Sequence, residues 1–167
     1  AVRPSRLRTA CMTLHIPDKT LLERWLDEAS VEYGLCSQCE GLHIPALQEV
    51  EGVVDSRLFV ESYGLLLSTE LEIRPMALLH VSADLGRLNM DFPTLKIFID
   101  LVDDATPQLV LAGCLPVNAG ITREQFAHFF AVTVEATAQV AAECLHLDYL
   151  FAAADSAGRK PPSRSVH

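Results

Sequence analysis

The chain has 167 residues, half of them hydrophobic and 21% charged, which suits one folded domain with a well-buried core and excludes an intrinsically disordered chain. The formal net charge is −9, and between residues 13 and 154 only 7 basic residues stand against 21 acidic ones, so the body of the protein repels phosphate backbones, nucleic-acid binding would have to rest on two short basic tails, and no nucleic-acid partner is expected. No segment approaches the roughly 18 to 20 uninterrupted apolar residues of a membrane span, and no apolar run near the start could serve as a signal-peptide core, so the expectation is a cytoplasmic protein with no membrane association. Five cysteines, an odd number in a chain of this size, fit free thiols in a reducing compartment better than a disulfide framework.

Residues 1–12 are Arg-rich and aperiodic and are expected to form a disordered arm, or residues 1–11 to precede a natural start at Met12. Thr20 and Glu23 have capping-box spacing, and Leu22, Trp25, Leu26 and Ala29 follow at helical intervals, which predicts a first helix from about Thr20 that ends before Gly34. Two short strands are predicted at 32–36 and 40–44, joined at a Ser37-Gln38 turn, with Pro45 closing the second. A second strand pair is predicted at 53–60 and 65–73. In the latter, Leu65, Leu67, Thr69, Leu71 and Ile73 alternate with Ser68, Glu70 and Glu72, the pattern of a half-buried strand.

Pro75 suits the first turn of a helix over about 75–88, whose buried stripe is Leu78, Val81, Leu85 and Leu88. A third strand pair is predicted at 95–102 and 108–115, with Leu95, Ile97, Ile99 and Leu101 on one face and Asp103 to Pro107 as the turn. Thr122 and Gln125 form another capping box and open a helix to about Tyr149. A polar stripe of His128, Glu135, Gln139 and Glu143 interrupts an otherwise apolar circumference, which predicts burial on more than one face. The run from Ser156 to His167, within a segment 151–167, has the Pro, Gly and Ser content of a disordered tail. Together these elements predict an α+β fold: an antiparallel sheet of five to six strands with three helices packed on it, as one domain over 13–150.

Cys36-Ser37-Gln38-Cys39-Glu40-Gly41-Leu42-His43-Ile44-Pro45, Gly52-Val53-Val54-Asp55, Ile73-Arg74-Pro75, Ala83-Asp84-Leu85 and Gly120-Ile121-Thr122-Arg123-Glu124-Gln125-Phe126-Ala127 together resemble the bacterial YbjN family in order and spacing. The likeness spans about residues 12–150. It implies a regulator in sensory transduction with a fold similar to that of type III secretion chaperones, which are small acidic α+β proteins, often dimeric, that bind other proteins. It carries over no catalytic residues. Likeness of fold sets an expectation of mode of action and does not establish function.

Cys36-x-x-Cys39 is the motif closest to chemistry. A structural zinc site needs four ligands, and a second Cys pair is absent, although His15 and His43 could complete the set. Dithiol redox catalysis favours a helix N-terminus, and this pair falls on a hairpin turn. The reading adopted is a turn with incidental thiols, no metal and no cofactor, with a metal- or redox-responsive sensor using Cys36 and Cys39 as the alternative. Asp100, Asp103 and Asp104 lack the ligand spacing of a calcium loop and read as a solvated turn.

No phosphate loop or nucleophile elbow occurs, so the chain is not expected to be an enzyme. The expected function is a non-enzymatic, protein-binding regulator or chaperone-like adaptor in bacterial sensory transduction or stress response, as a homodimer with a further protein partner. Phe98, Val102, Val110 and Ala112 are the expected contact surface, the competing reading being that a helix of the same chain covers them.

Overall fold

The computed structural model describes residues 13–101 and 105–151. Val102, Asp103, Asp104, and the segments expected to be arm and tail, lie outside them apart from Phe151.

Helix α1 (Lys19–Glu28) begins earlier than the Thr20–Glu23 spacing predicts, because Asp18 is the N-cap: its Oδ1 accepts from Leu21 N at 2.8 Å. A carboxylate three residues before a free helix N–H outcompetes a threonine already inside the first turn. The helix buries Leu22, Trp25 and Leu26, and Ser30 with φ 55° turns the chain out of it. Strands β1 (Gly34–Leu35) and β2 (Leu42–His43) pair as expected but have two residues each. Residues 36–41 leave the ladder because their polar groups bond one another locally, as where Gln38 N meets Cys36 Sγ at 3.3 Å. Pro45 does more than close β2. It starts a one-turn helix, α2 (Pro45–Gln48), from the first-turn position where its missing N–H costs nothing.

Strands β3 (Val53–Glu61) and β4 (Gly64–Glu72) form the long central hairpin. The alternation read in β4 holds: Leu65, Leu67, Thr69 and Leu71 are buried, and Ser68, Glu70 and Glu72 are half-exposed on the other face. Gly64 has φ 148°, and a Cβ there would lie 2.3 Å from the Leu115 carbonyl, so only glycine serves at this corner. A 3₁₀ turn at Pro75–Ala77 leads into α3 (Leu78–Asp91), which buries Val81 and Leu88 while Leu78 and Leu85 are half-buried. Strands β5 (Lys96–Asp100) and β6 (Gln108–Leu115) follow. Leu101, expected on the buried face with Leu95, Ile97 and Ile99, is 67% exposed, because β5 ends at Asp100.

Helix α4 (Arg123–His146) carries the predicted Thr122–Gln125 capping box and runs about 36 Å at 1.5 Å per residue. It stops short of Tyr149 where Asp148 adopts φ 61°. Its buried residues are Phe126, Thr133, Thr137, Val140, Ala141 and Cys144. Ala127, His128, Ala131, Glu135, Gln139 and Ala142 are exposed, so one side of the helix is buried and not several. The apolar circumference read from the sequence consists on this side of alanines, which present too little area to require cover.

The six strands make one antiparallel sheet in the order β1-β2-β3-β4-β6-β5. One cluster of the core joins Leu71, Leu109 and Leu111 to Val81 and Leu88 of α3 and Val140 of α4. A second joins Leu58, Leu65 and Leu67 to Leu22 and Leu26 of α1 and Phe126 of α4. Since Leu65, Leu67 and Leu71 alternate along one strand, both clusters lie on the same face. The long helices therefore form a single layer on one side, and α4 spans both clusters. After α4 the chain returns to the sheet: Leu150 bridges Ile73, and Arg74 N donates to Tyr149 O at 2.9 Å.

Candidate functional site

The face of the sheet away from the helices carries two groups of interest. The first centres on the β1–β2 hairpin. Cys36 follows β1, Cys39 stands in the loop and His43 lies on β2, and one ligand atom from each falls within 4.8 Å of the others. Cys39 Sγ is 3.3 Å from His43 Nε2. The register His43↔Arg57 between β2 and β3 brings Asp55 to the same face. There Asp55 Oδ1 lies 3.0 Å from His43 Nδ1 and accepts from Gln48 Nε2 at 2.7 Å. Asp55 Oδ2 is 3.1 Å from Arg57 Nε, and Arg57 continues to Glu70 Oε1 at 2.7 Å. The Gln48 amide also lies 3.1 Å from Nδ1. Two N–H groups cannot donate to each other, so with Nδ1–H donating to Asp55 the amide hydrogen goes to the carboxylate and Nε2 is left as the acceptor facing the cysteines.

When the ring takes up a proton, Nε2–H donates towards the cysteine sulfurs instead, and the pKa shifts of the group reflect that charged pairing. The Gln38 N–H, then His43 and Cys39, hold the Cys36 thiol down at about 7. Burial of the His43 ring works against its charged form, but hydrogen bonds with Cys36 and Asp55 outweigh it and raise its pKa above the ordinary value. Burial likewise raises Asp55, and Gln48, His43 and Arg57 outweigh it, so its carboxyl titrates below the usual range. His15 takes no part in this group. Its ring packs edge-on against Trp25 at 5.9 Å.

The second group is the expected contact surface. Phe98 on β5 and Val110 on β6 are paired in register, as are Lys96 and Ala112. Phe98 is 37% exposed, Ala112 is half-buried, and Val110, between Phe98 and Glu70, is only 8% exposed. Val102 lies outside the described residues. The long helices pack on the opposite face, and α2 reaches this one only through Gln48 beside His43 and Asp55, so the three described residues lie under none of the described helices. Cations stand over both aromatic rings of the face, Lys96 over Phe98 and Arg57 over Phe59, each 5.4 Å from the ring centroid.

Sequence reasoning found Cys36 and Cys39 and named His43, but it missed Asp55, Gln48 and Arg57 as their neighbours. The pairing of β2 with β3 is what unites them, and nothing local in either strand prints that register.

Elsewhere, a cavity of about 430 Å³ between α1 and α4 is lined by apolar Trp25, Val31, Phe126 and Phe130. Among the described residues no helix is long and apolar enough to cross a membrane.

A six-stranded antiparallel sheet layered on one side by its long helices, with a cysteine–histidine hairpin at one end, defines a compact class of α+β proteins. The chain belongs to the YbjN family, whose model, described as "Putative bacterial sensory transduction regulator", matches residues 18–146. It is 36% identical over 131 residues to a protein of Escherichia coli strain K12 named "Uncharacterized protein YbjN", covering 78% of this chain and 83% of that one. A protein of Shigella flexneri with the same name matches at the same identity and coverage. Among solved structures, one described as "Crystal structure of YbjN, a putative transcription regulator from E. coli" superposes with a TM-score of 0.81 at 34% identity, over 84% of this chain and 99% of that one. The expected fold class, α+β with an antiparallel sheet, is the one observed, with a fourth, one-turn helix added.

Proposed function

We propose that the chain is a non-enzymatic regulator in sensory transduction that acts by binding protein, in the manner of a chaperone-like adaptor, through the uncovered face of its sheet. The observation that carries this reading is the one-sided placement of the long helices. It leaves Phe59, Leu66, Phe98, Val110 and Ala112 under no helix of their own chain. The first occupant of that face is a second copy. Lys96 shares it with Asp100, and in a two-fold pairing the Lys96 of one copy can meet the Asp100 of the other. The neighbour described as "a putative transcription regulator" suggests an effect on gene expression. With 7 basic residues against 21 acidic between positions 13 and 154, that effect runs through a protein and not through direct contact with DNA.

Light scattering of the full chain tests the reading. The wild type is expected as a dimer, Phe98→Glu as a monomer, and Leu79→Glu, on the exposed side of α3, with unaltered mass. A monomeric wild type, or a dimer indifferent to Phe98→Glu, overturns the pairing through this face.

A further inference from the structure

The hairpin cluster has a geometry that neither the fold nor protein binding requires. Two thiols and an imidazole nitrogen converge within 4.8 Å, and all three residues are only partly buried. The 3.3 Å between Cys39 Sγ and His43 Nε2 is close to the roughly 3.5 Å that metal–ligand bonds of about 2.3 and 2.0 Å impose at a tetrahedral angle. Three further contacts prepare the donors. Asp55 takes the Nδ1 hydrogen of His43, which fixes the ring in the tautomer whose Nε2 can ligate. Gln48 fixes Asp55 in turn. The Gln38 N–H points at Cys36 Sγ, a bond that stabilises a coordinated thiolate.

We propose that Cys36, Cys39 and His43 bind a divalent cation of the zinc(II) class, with Asp55 as the positioning residue and a fourth coordination place open to solvent. Two thiolates and an imidazole select such an ion over magnesium or calcium, which take oxygen donors. Binding releases the thiol protons to the medium, so occupancy falls as the solution is acidified. The ion fastens a hairpin whose strands have only two residues each and which forms the β1 end of the sheet. This inference is independent of how the opposite end of that face pairs.

The test is a titration of the reduced, chelator-treated full chain with cobalt(II), followed by competition with zinc(II). One equivalent of cobalt is expected to give the intense visible bands and thiolate charge-transfer absorption of a tetrahedral site with two sulfurs, and zinc is expected to abolish both. Cys36→Ser and Cys39→Ser each remove the charge-transfer band in part and the double variant removes it entirely. Asp55→Asn keeps the spectrum and weakens affinity roughly 10–100-fold. Circular dichroism of each variant establishes that it is folded. Cobalt that stays octahedral in the wild type, a spectrum unaltered in the folded double cysteine variant, or a reduced chain that takes up no metal and, on exposure to dissolved oxygen as the oxidant, only closes a Cys36–Cys39 disulfide, each overturns the proposal.

Discussion

Ser56 Oγ and Thr69 Oγ1 face each other at 2.9 Å across β3 and β4, and both residues are fully buried beneath the helices. A lone hydroxyl there has no water to turn to. Ser56→Ala is therefore expected to cost about 1–3 kcal/mol by leaving Thr69 unsatisfied, whereas Ser56→Ala combined with Thr69→Val costs less than the two single changes together. Urea unfolding of the three variants measures this coupling, and strict additivity would show that the hydroxyls do not depend on each other.

Gly113 sets how closely α4 approaches the sheet. A Cβ at this position would lie 2.5 Å from Thr133 Cγ2 and 2.9 Å from its Oγ1. Gly113→Ala is expected to destabilise the fold by about 1–3 kcal/mol through overpacking. Adding Thr133→Ala removes both clashing atoms and restores part of the loss, which thermal denaturation of the single and double variants would register.

Arg87 ties α3 to α4: it donates to Asp84 at 2.6 and 2.7 Å and to Glu143 at 2.6 Å, while Tyr149 OH reaches Asp84 at 3.2 Å. The Arg87 hydrogen bonds, aided by Tyr149, hold the Asp84 carboxyl below its ordinary value despite some desolvation. A depressed folded-state pKa contributes stability that is present above the unfolded value of about 4 and disappears as the pH falls through the lower folded value. Asp84→Asn is thus expected to lower the melting temperature at neutral pH and to flatten its decline on acidification. A variant whose acid limb parallels that of the wild type would remove Asp84 from that role.

Cys144, buried in α4 with its thiol pushed up to about 12 by burial and then by Glu143 and Asp84, should be inert to thiol reagents in the folded protein. Cys114 is exposed and should react at once. Labelling of Cys144, read by peptide mass spectrometry in increasing urea, is expected to track global unfolding. Modification at the rate of Cys114 in native buffer would show that α4 opens locally.

Much of this architecture is legible in single stretches of sequence, and the rest depends on distant partners. The alternation from Leu65 to Ile73 and the capping box at Thr122 and Gln125 name their elements because local pattern and tertiary burial agree there. Thr20 and Glu23 offered the same signal falsely, since Asp18 lay within reach of the same backbone donors. Pro45 carries two meanings, strand stop and helix start, and only the second requires the residues after it to turn. Among the site residues, Cys36 and Cys39 announce themselves by spacing. Their link through His43 to Asp55 is set by a strand register that slips freely in a two-residue strand unless its surroundings hold it.

The bridge between Ile73 and Leu150 gives the chain a direction in time. The two residues are far apart in sequence, yet Leu150 is 2% exposed and packs in the same cluster as Ile73, Leu88 and Val140. On the ribosome, β3 and β4 can pair as soon as they emerge, while the half of the core beneath α3 stays open until the last of these residues has left the exit tunnel. A nascent chain arrested before Leu150 clears the tunnel would then hold a formed hairpin beside an unsealed core, and protease sensitivity of arrested chains of increasing length would locate the step at which the fold closes.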